Sequence, residues 1–280
     1  MAVRIVTDSG SDIPGNLVDD LNISVVPLTV SFGSDSYRDG VDLSADEFYT
    51  KLVQEDYMPT TSQPSVGSFV EVYKELRESG DDILSIHVSS KLSGTLNSAT
   101  QAAAQEDLGS SIELVDSRQA SMGVGFSVIA AATAAKNGAS LIEARAIAES
   151  VLTRTKVLIL FETLKYLERG GRIGRASALL GGILQLKPIL TIDDGEIATK
   201  SKIRTFKKGI QSLLELTQEY GNLQAAAVLY TTDSRDAEGL GRQIGSQLPD
   251  SSELKVLRIS PAVGTHGGPG LVGTICVLPE

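Results

Sequence analysis

The sequence is poor in the residues from which many functional sites are built. One cysteine, Cys276, and two histidines, His87 and His266, occur among 280 residues. A disulfide framework and a Cys/His zinc site are therefore excluded. Tryptophan is absent, and aromatic residues make up only 5%. No stretch approaches the roughly 20 apolar residues that a membrane-spanning helix needs. The opening MAVRIVTDSGSD turns polar too early for the apolar region of a signal peptide. These features lead us to expect a cytoplasmic protein. There is no internal repeat and no low-complexity tract. A G-x-x-x-x-G-K-[ST] phosphate loop, an H-E-x-x-H zinc helix and a G-x-S-x-G nucleophile elbow are also missing.

What is present suits a folded globular chain: 41% of residues are hydrophobic and 21% charged. At about 100 to 200 residues per domain, the length favours two lobes. A net charge of -10 argues against a nucleic-acid partner, because phosphates must be met by a basic surface. The charge is uneven, however. Residues 154–208 carry 12 Lys+Arg against 5 Asp+Glu, a net of +7, and the rest of the chain is left with -17. That asymmetry points to an anionic ligand or partner near the segment, with a merely solvated basic helix and hairpin as the plain alternative.

Apolar runs at 3–7, 25–30, 83–88, 112–115 and 157–161 read as strands, separated by helical patterns at 69–76 and 126–135. Pro14 marks the start of a short helix, and residues 141–152 read as a helix bridging two lobes. Strands alternating with helices imply a largely parallel sheet. The stretch ILTIDDGEIATKSKI breaks the pattern: two alternating strands flank Asp194-Gly195, a tight-hairpin signal, so antiparallel pairing begins there. Beyond it, helices at 206–220 and 237–248 interleave with strands at 225–230, 254–259 and 271–277. The expected fold is α/β with two lobes. The N-terminal lobe, 1–152, has a largely parallel sheet with helices on both faces; the C-terminal lobe, 153–280, has a mixed sheet.

Four constellations carry chemistry. Thr60, Thr61 and Ser62 cluster just before Pro64, a residue poised at a helix start; hydroxyls and helix-start amides there could bind an anionic oxygen, or simply cap the helix. Ser93, Gly94 and Thr95 follow an apolar strand and lead into a helix near Leu96, where open α/β sheets place ligands; capping is again the alternative. His266 lies in VGTHGGPG, a glycine-rich loop in which an imidazole could orient an acidic ligand, move a proton, or make a structural hydrogen bond. The G-x-G-x-x-G spelled by Gly268, Gly270 and Gly273 fails as a dinucleotide motif, since no βαβ unit can follow it. Last, Arg169, Arg172 and Arg175 bracket glycines ahead of Leu179, Leu180, Ile183, Leu184 and Leu186, an apolar helix that suits either a core or the wall of an acyl tunnel.

Taken together, IVTDSGSDIP at 5–14, TSQPS at 61–65, SSKLSGTLNSA at 89–99, LKYLERGGRI at 164–173, KPIL at 187–190 and GTHGGPG at 264–270 resemble the DegV family from end to end. Members of that family are the fatty-acid-binding subunits of bacterial two-component fatty acid kinases. The resemblance implies that one long-chain fatty acid is buried in the protein, with Thr61 and Ser93 at its carboxylate and His266 nearby. Ser62, Gly94, Thr95 and Gly267 complete the expected ligand-binding set. It also implies that the chain is not itself an enzyme and needs no metal or other cofactor. A partner kinase would supply ATP and phosphorylate the carboxylate to an acyl phosphate for phospholipid synthesis. Arg169, Arg172, Lys200, Lys202 and Arg204 are the candidate residues for docking that kinase or, transiently, an anionic membrane surface. Two rival readings are a serine-dependent acyl hydrolase, with Ser93 as nucleophile and His266 as base, and a carrier of a small phosphorylated ligand.

Overall fold

The computed structural model describes residues 2–54, 58–105, 111–180, 186–249 and 254–280. The chain begins with β1 (Val3–Asp8), α1 (Gly15–Asp20) and β2 (Ser24–Val26), followed by β3 (Thr29–Phe32) and β4 (Asp35–Arg38). Next come α2 (Ala45–Gln54), β5 (Thr60–Ser62), α3 (Val66–Glu78), β6 (Asp82–His87) and α4 (Thr95–Ala103). Then β7 (Ile112–Asp116) precedes two long helices, α5 (Met122–Lys136) and α6 (Leu141–Arg154).

Strands β2-β1-β6-β7 form a four-stranded parallel sheet covered on both faces, as the alternation of strands and helices predicts. Neighbouring strand residues point to opposite faces. In β1, Ile5 joins the core beneath α5 and α6, while Val6 joins that beneath α3 and α4. The α6 helix is closed at its start by a capping box, in which Ser140 and Glu143 satisfy each other's backbone amides.

The second lobe contains β8 (Thr155–Leu160), α7 (Lys165–Arg169), β9 (Lys187–Asp193) and β10 (Glu196–Ile203), then α8 (Phe206–Gln218) and β11 (Ala225–Tyr230). It ends with α9 (Arg235–Ile244), β12 (Lys255–Arg258), α10 (Pro261–Gly267) and β13 (Val272–Val277). Its six-stranded sheet, in the order β10-β9-β8-β13-β11-β12, is mixed: β11 and β12 pair in parallel and the other neighbours are antiparallel. Helices α8 and α9 cover one face. The other face packs on the first lobe through Met122, Phe126 and Val151. A helix that is apolar all round must be buried all round. That is the situation of α5, whose Val124 and Val128 face the parallel sheet while Met122 and Phe126 face the mixed one. The two lobes therefore share a core.

Several expectations need correction. The strand expected at 25–30 is broken: β2 ends at Val26 and β3 starts at Thr29, in a different sheet. Pro27 lacks a backbone donor and restricts the residue before it, and the Leu28 amide instead donates to Ser9 Oγ at 3.0 Å. The Thr60–Ser62 hydroxyls do not precede a helix directly. They form strand β5, paired with β3, and α3 starts only at Val66 with Ser65 as its cap. The result is a third, antiparallel sheet, β4-β3-β5, which the sequence pattern does not signal. Helix α9 stops at Ile244 and tightens into a 3-10 turn at Gly245–Gln247. His266 sits on the short helix α10 and not in a loop, because Ser260 and Pro261 start a helical turn before the glycines end it. The apolar helix expected after Arg175 is a 3-10 segment over Gly174–Leu179, and Ile183 and Leu184 lie outside the described residues.

Candidate functional site

A cavity of about 110 Å³ lies between the lobes, several times the roughly 10–15 Å³ that one water requires. Its wall is mainly apolar. The first lobe contributes Leu28, Val88 and Leu92; the second contributes Ile159, Phe161, Ile192, Ile197, Leu229 and Leu271. Thr61, Ser93, Arg172 and His266 supply a polar edge.

Each polar residue comes from a different element. Thr61 is brought inward by pairing with Val30 of β3. Its Oγ1 lies 2.7 Å from His266 Nε2, an interaction whose donor depends on the ring tautomer. Burial, and after it the neighbouring Arg172 guanidinium, pushes the His266 imidazole from 6.5 down to about 4, so the ring is neutral at neutral pH. Its other nitrogen, Nδ1, is buried without a hydrogen-bond partner. The glycines explain how the ring fits: a Cβ on Gly170 would strike the His266 ring, and one on Gly268 would strike Tyr166.

The sequence puts Arg172 with the candidate docking residues; the structure places it in the cavity wall. Its Nε donates to Leu92 O at 2.9 Å and its Nη1 to Gly170 O at 2.5 Å. Two bonds leave part of the guanidinium's five donors for a ligand. Ser93 Oγ lies 2.8 Å from Thr95 Oγ1. Thr95 is fully buried and braces Ser93 from behind. Gly94 lets the Gln63 side chain cross at a distance where a Cβ would come within 2.5 Å of it. Gly267 lines the cavity, whereas Ser62, the neighbour of Thr61 on an alternating strand, is exposed. Arg169, Lys200, Lys202 and Arg204 are all exposed on the second lobe.

Sequence reasoning missed the support beneath the site. Asp8 at the end of β1 accepts from the Gly10 amide at 3.0 Å and the Val88 amide at 3.1 Å, and it pairs with His87 Nδ1 at 2.9 Å. His87 Nε2 meets Ser85 Oγ at 2.7 Å, and Tyr73 OH closes the chain at 2.8 Å. Although Ser85, His87 and Asp8 follow the order of a catalytic triad, all three are fully buried, so their arrangement holds Gly10 and Val88 in the cavity wall without meeting a substrate. The sequence signal was available, since a lone histidine in an apolar strand needs a buried partner.

The hairpin of β9 and β10 closes one side of the cavity with Ile192 and Ile197. Asp194 and Gly195 at its tip both have positive φ, as such a turn demands. The tip docks on the loops after β6 and β7. Ser89 Oγ donates to Gly195 O at 2.8 Å, and Lys91 Nζ and Arg118 Nη1 reach Asp194 at 2.9 and 2.6 Å.

A model of the DegV family, described as "Uncharacterised protein, DegV family", matches residues 2–279. The chain belongs to the DegV family. A DegV domain-containing protein of Caldanaerobacter subterraneus subsp. tengcongensis is 39% identical over 97% of both chains. Among solved structures, a DegV family protein from Thermus thermophilus described for its fatty acid binding is 36% identical, covers 100% of both chains and superposes with a TM-score of 0.92. DegV of Bacillus subtilis, described as a fatty acid binding protein, is 32% identical over 99% of both chains, with a TM-score of 0.88. This DegV chain thus shares the two-lobed α/β fold of those proteins. No described helix is long and apolar enough to cross a membrane.

Proposed function

We propose that this protein holds one long-chain fatty acid between its lobes and presents the carboxylate to an ATP-dependent kinase subunit. The kinase transfers phosphate to the carboxylate, giving an acyl phosphate for phospholipid synthesis. One observation carries the reading: an apolar cavity ends at a polar edge made of Thr61, Ser93, His266 and Arg172. Burying a methylene gains about 0.8 kcal/mol, so a dozen supply on the order of 10 kcal/mol before the cost of ordering the chain. The tail drives binding. The head group needs hydrogen bonds to offset its desolvation, and hydroxyls beside a guanidinium provide them. The solved relatives described as fatty-acid-binding proteins, among them a stearic acid-binding protein from Eubacterium ventriosum that is 26% identical with a TM-score of 0.90, support the lipid assignment.

The hydrolase reading fits less well. Its base would have to contact Ser93, but His266 Nε2 is engaged by Thr61 and Nδ1 has no carboxylate to orient it. A small phosphorylated ligand would find one guanidinium and a mostly apolar wall. The kinase, or transiently an anionic membrane surface, would dock on exposed Arg169, Lys200, Lys202 and Arg204, with Arg172 reaching inward from the same stretch.

The first test is native against denaturing mass spectrometry of the purified protein, with identification of any extracted lipid. One fatty acid per chain is expected; a protein that is isolated empty and refuses added fatty acid sinks the proposal. With a fatty acid kinase and ATP, hydroxylamine should trap the acyl group only when this protein is present.

A further inference from the structure

A buried acyl chain can enter or leave only if part of the cavity wall moves. Parting the lobes would expose α5, which is packed between both sheets. The β9–β10 hairpin is held differently. At its base β9 pairs with β8 through Ile189 and Leu190. Over residues 191–193 its ladder runs to β10, and β10 is the edge strand of the sheet. The distal half of the hairpin is thus joined to the sheet through its own base. At that boundary β10 carries a bulge: Thr199 pairs with Leu190 and Ser201 with Ile189, which leaves Lys200 as the extra residue. A bulge disrupts the ladder and bends its strand, so it marks a hinge line. Beyond it, Ile192 and Ile197 are direct cross-strand partners, and both line the cavity.

The tip is fastened to the first lobe mainly by charge. Asp194 meets Lys91 at 2.9 Å and Arg118 at 2.6 Å, and Glu196 lies 3.8 Å from Lys91. These side chains are 39% to 64% exposed, so salt screens their attraction. The Ser89 hydroxyl bond to Gly195 O, at 2.8 Å, adds a buried link. The remaining holds lie within the second lobe: Gly174 backs closely onto the Ile197 backbone, and Arg175 pairs with Asp193 at 2.6 Å. We propose that residues 191–198 form a flap, hinged at the Lys200 bulge and latched to the first lobe by Asp194, whose opening lets the fatty acid pass. The identity of the passenger rests on the lipid reading above; the movement does not.

Asp194→Asn removes the charge and keeps a residue suited to positive φ in the turn. It should speed release of a fluorescent fatty acid about three- to tenfold, whereas Arg235→Gln, at an exposed ion pair outside the hairpin, should leave release unchanged. Added salt should speed release from the wild type and act much less on Asp194→Asn. The movement is read without lipid in delipidated Ile197→Cys protein, where a bulky maleimide reaches the new thiol on the flap's inner face only when the flap is open. Cys276, fully buried, serves as the unlabelled reference. Asp194→Asn, or salt, should raise the labelling rate by about the same factor as release. Release indifferent to both the Asp194 charge and salt, or labelling that does not rise with it, overturns the flap. Labelling that rises as expected in a protein that takes up no fatty acid counts against the lipid reading and leaves the movement standing.

Discussion

Thr61 and His266 are 205 residues apart in the chain and 2.7 Å apart in the fold. Thr61→Val keeps the shape and removes the hydroxyl, leaving His266 Nε2 unpaired and the ligand carboxylate short of a donor. The expected loss is about 1–2 kcal/mol, roughly a 5- to 30-fold weaker fatty acid affinity, read by displacement of a fluorescent fatty acid. Binding of the methyl ester, which carries no charge, should change less. Equal affinities for variant and wild type would remove Thr61 from the site. Arg172→Gln should weaken acid binding too and let the His266 pKa climb from about 4, though burial, the larger cause, keeps it below 6.5. Nuclear magnetic resonance titration of the imidazole measures this; a pKa that stays put would mean the guanidinium does not act on the ring.

Asp39, which is buried, and Asp12, which is half-buried, set an opposing pH dependence. Burial raises Asp12 from 3.8 to about 6 and Asp39 from 3.8 to about 7. Over that range the folded chain binds more protons than the unfolded one, so the stability these groups contribute is full below about 3.8 and is lost as pH rises through 6 and 7. His266 acts in the other sense: its depressed pKa costs stability as pH falls from 6.5 toward 4. Asp39→Asn should therefore stabilise the protein more at about pH 8 than at about pH 5, measured by urea denaturation. A pH-independent difference would mean that Asp39 does not titrate in this window.

At the scale of elements, the β9–β10 hairpin is the part whose docking is decided by few contacts. Its tip is held by exposed ion pairs, each worth about 0–1 kcal/mol, and by the Ser89 bond to Gly195. Gly195 has φ of +81°, and a Cβ there would lie 2.6 Å from Ser89 Oγ. Gly195→Ala is expected to cost roughly 1–2 kcal/mol and, by loosening Ile192 and Ile197 from the cavity, to speed fatty acid dissociation. Stopped-flow displacement beside thermal melting checks both; melting at lower temperature with an unchanged off-rate would separate the hairpin from ligand retention. The same hairpin was legible in the sequence, because Asp194-Gly195 between alternating strands is a local signal. The break at Pro27 was only half legible: proline announced an interruption, but not that the chain would leave one sheet for another.

At the scale of the whole molecule, binding to the folded state alone raises stability by RT ln(1 + [L]/Kd), about 2.7 kcal/mol at a hundredfold excess of free ligand over Kd. Delipidated protein should melt at lower temperature and recover on adding fatty acid. Reversing the charge of Lys200, Lys202 and Arg204 together should slow kinase-dependent acyl phosphate formation, most strongly at low salt, with fatty acid affinity intact. Unchanged turnover would clear that surface of a docking role.

The sequence by itself determined many of the elements: the strand and helix periodicities, the hairpin turn and the motifs that resemble the DegV family. These are local facts, set by dihedral preferences and by which side of an element must avoid water. Tertiary structure alone decided that Thr61, Ser93, Arg172 and His266 converge on one cavity, that Arg172 turns inward while Arg169 stays in solvent, and that Asp39 is buried without a partner. Periodicity says that a face is buried and not what it is buried against. Charge spacing does not distinguish a solvated arginine from one whose neighbouring carbonyls draw it into a wall. Those outcomes depend on segments far apart in the chain, and only the packed lobes bring them together.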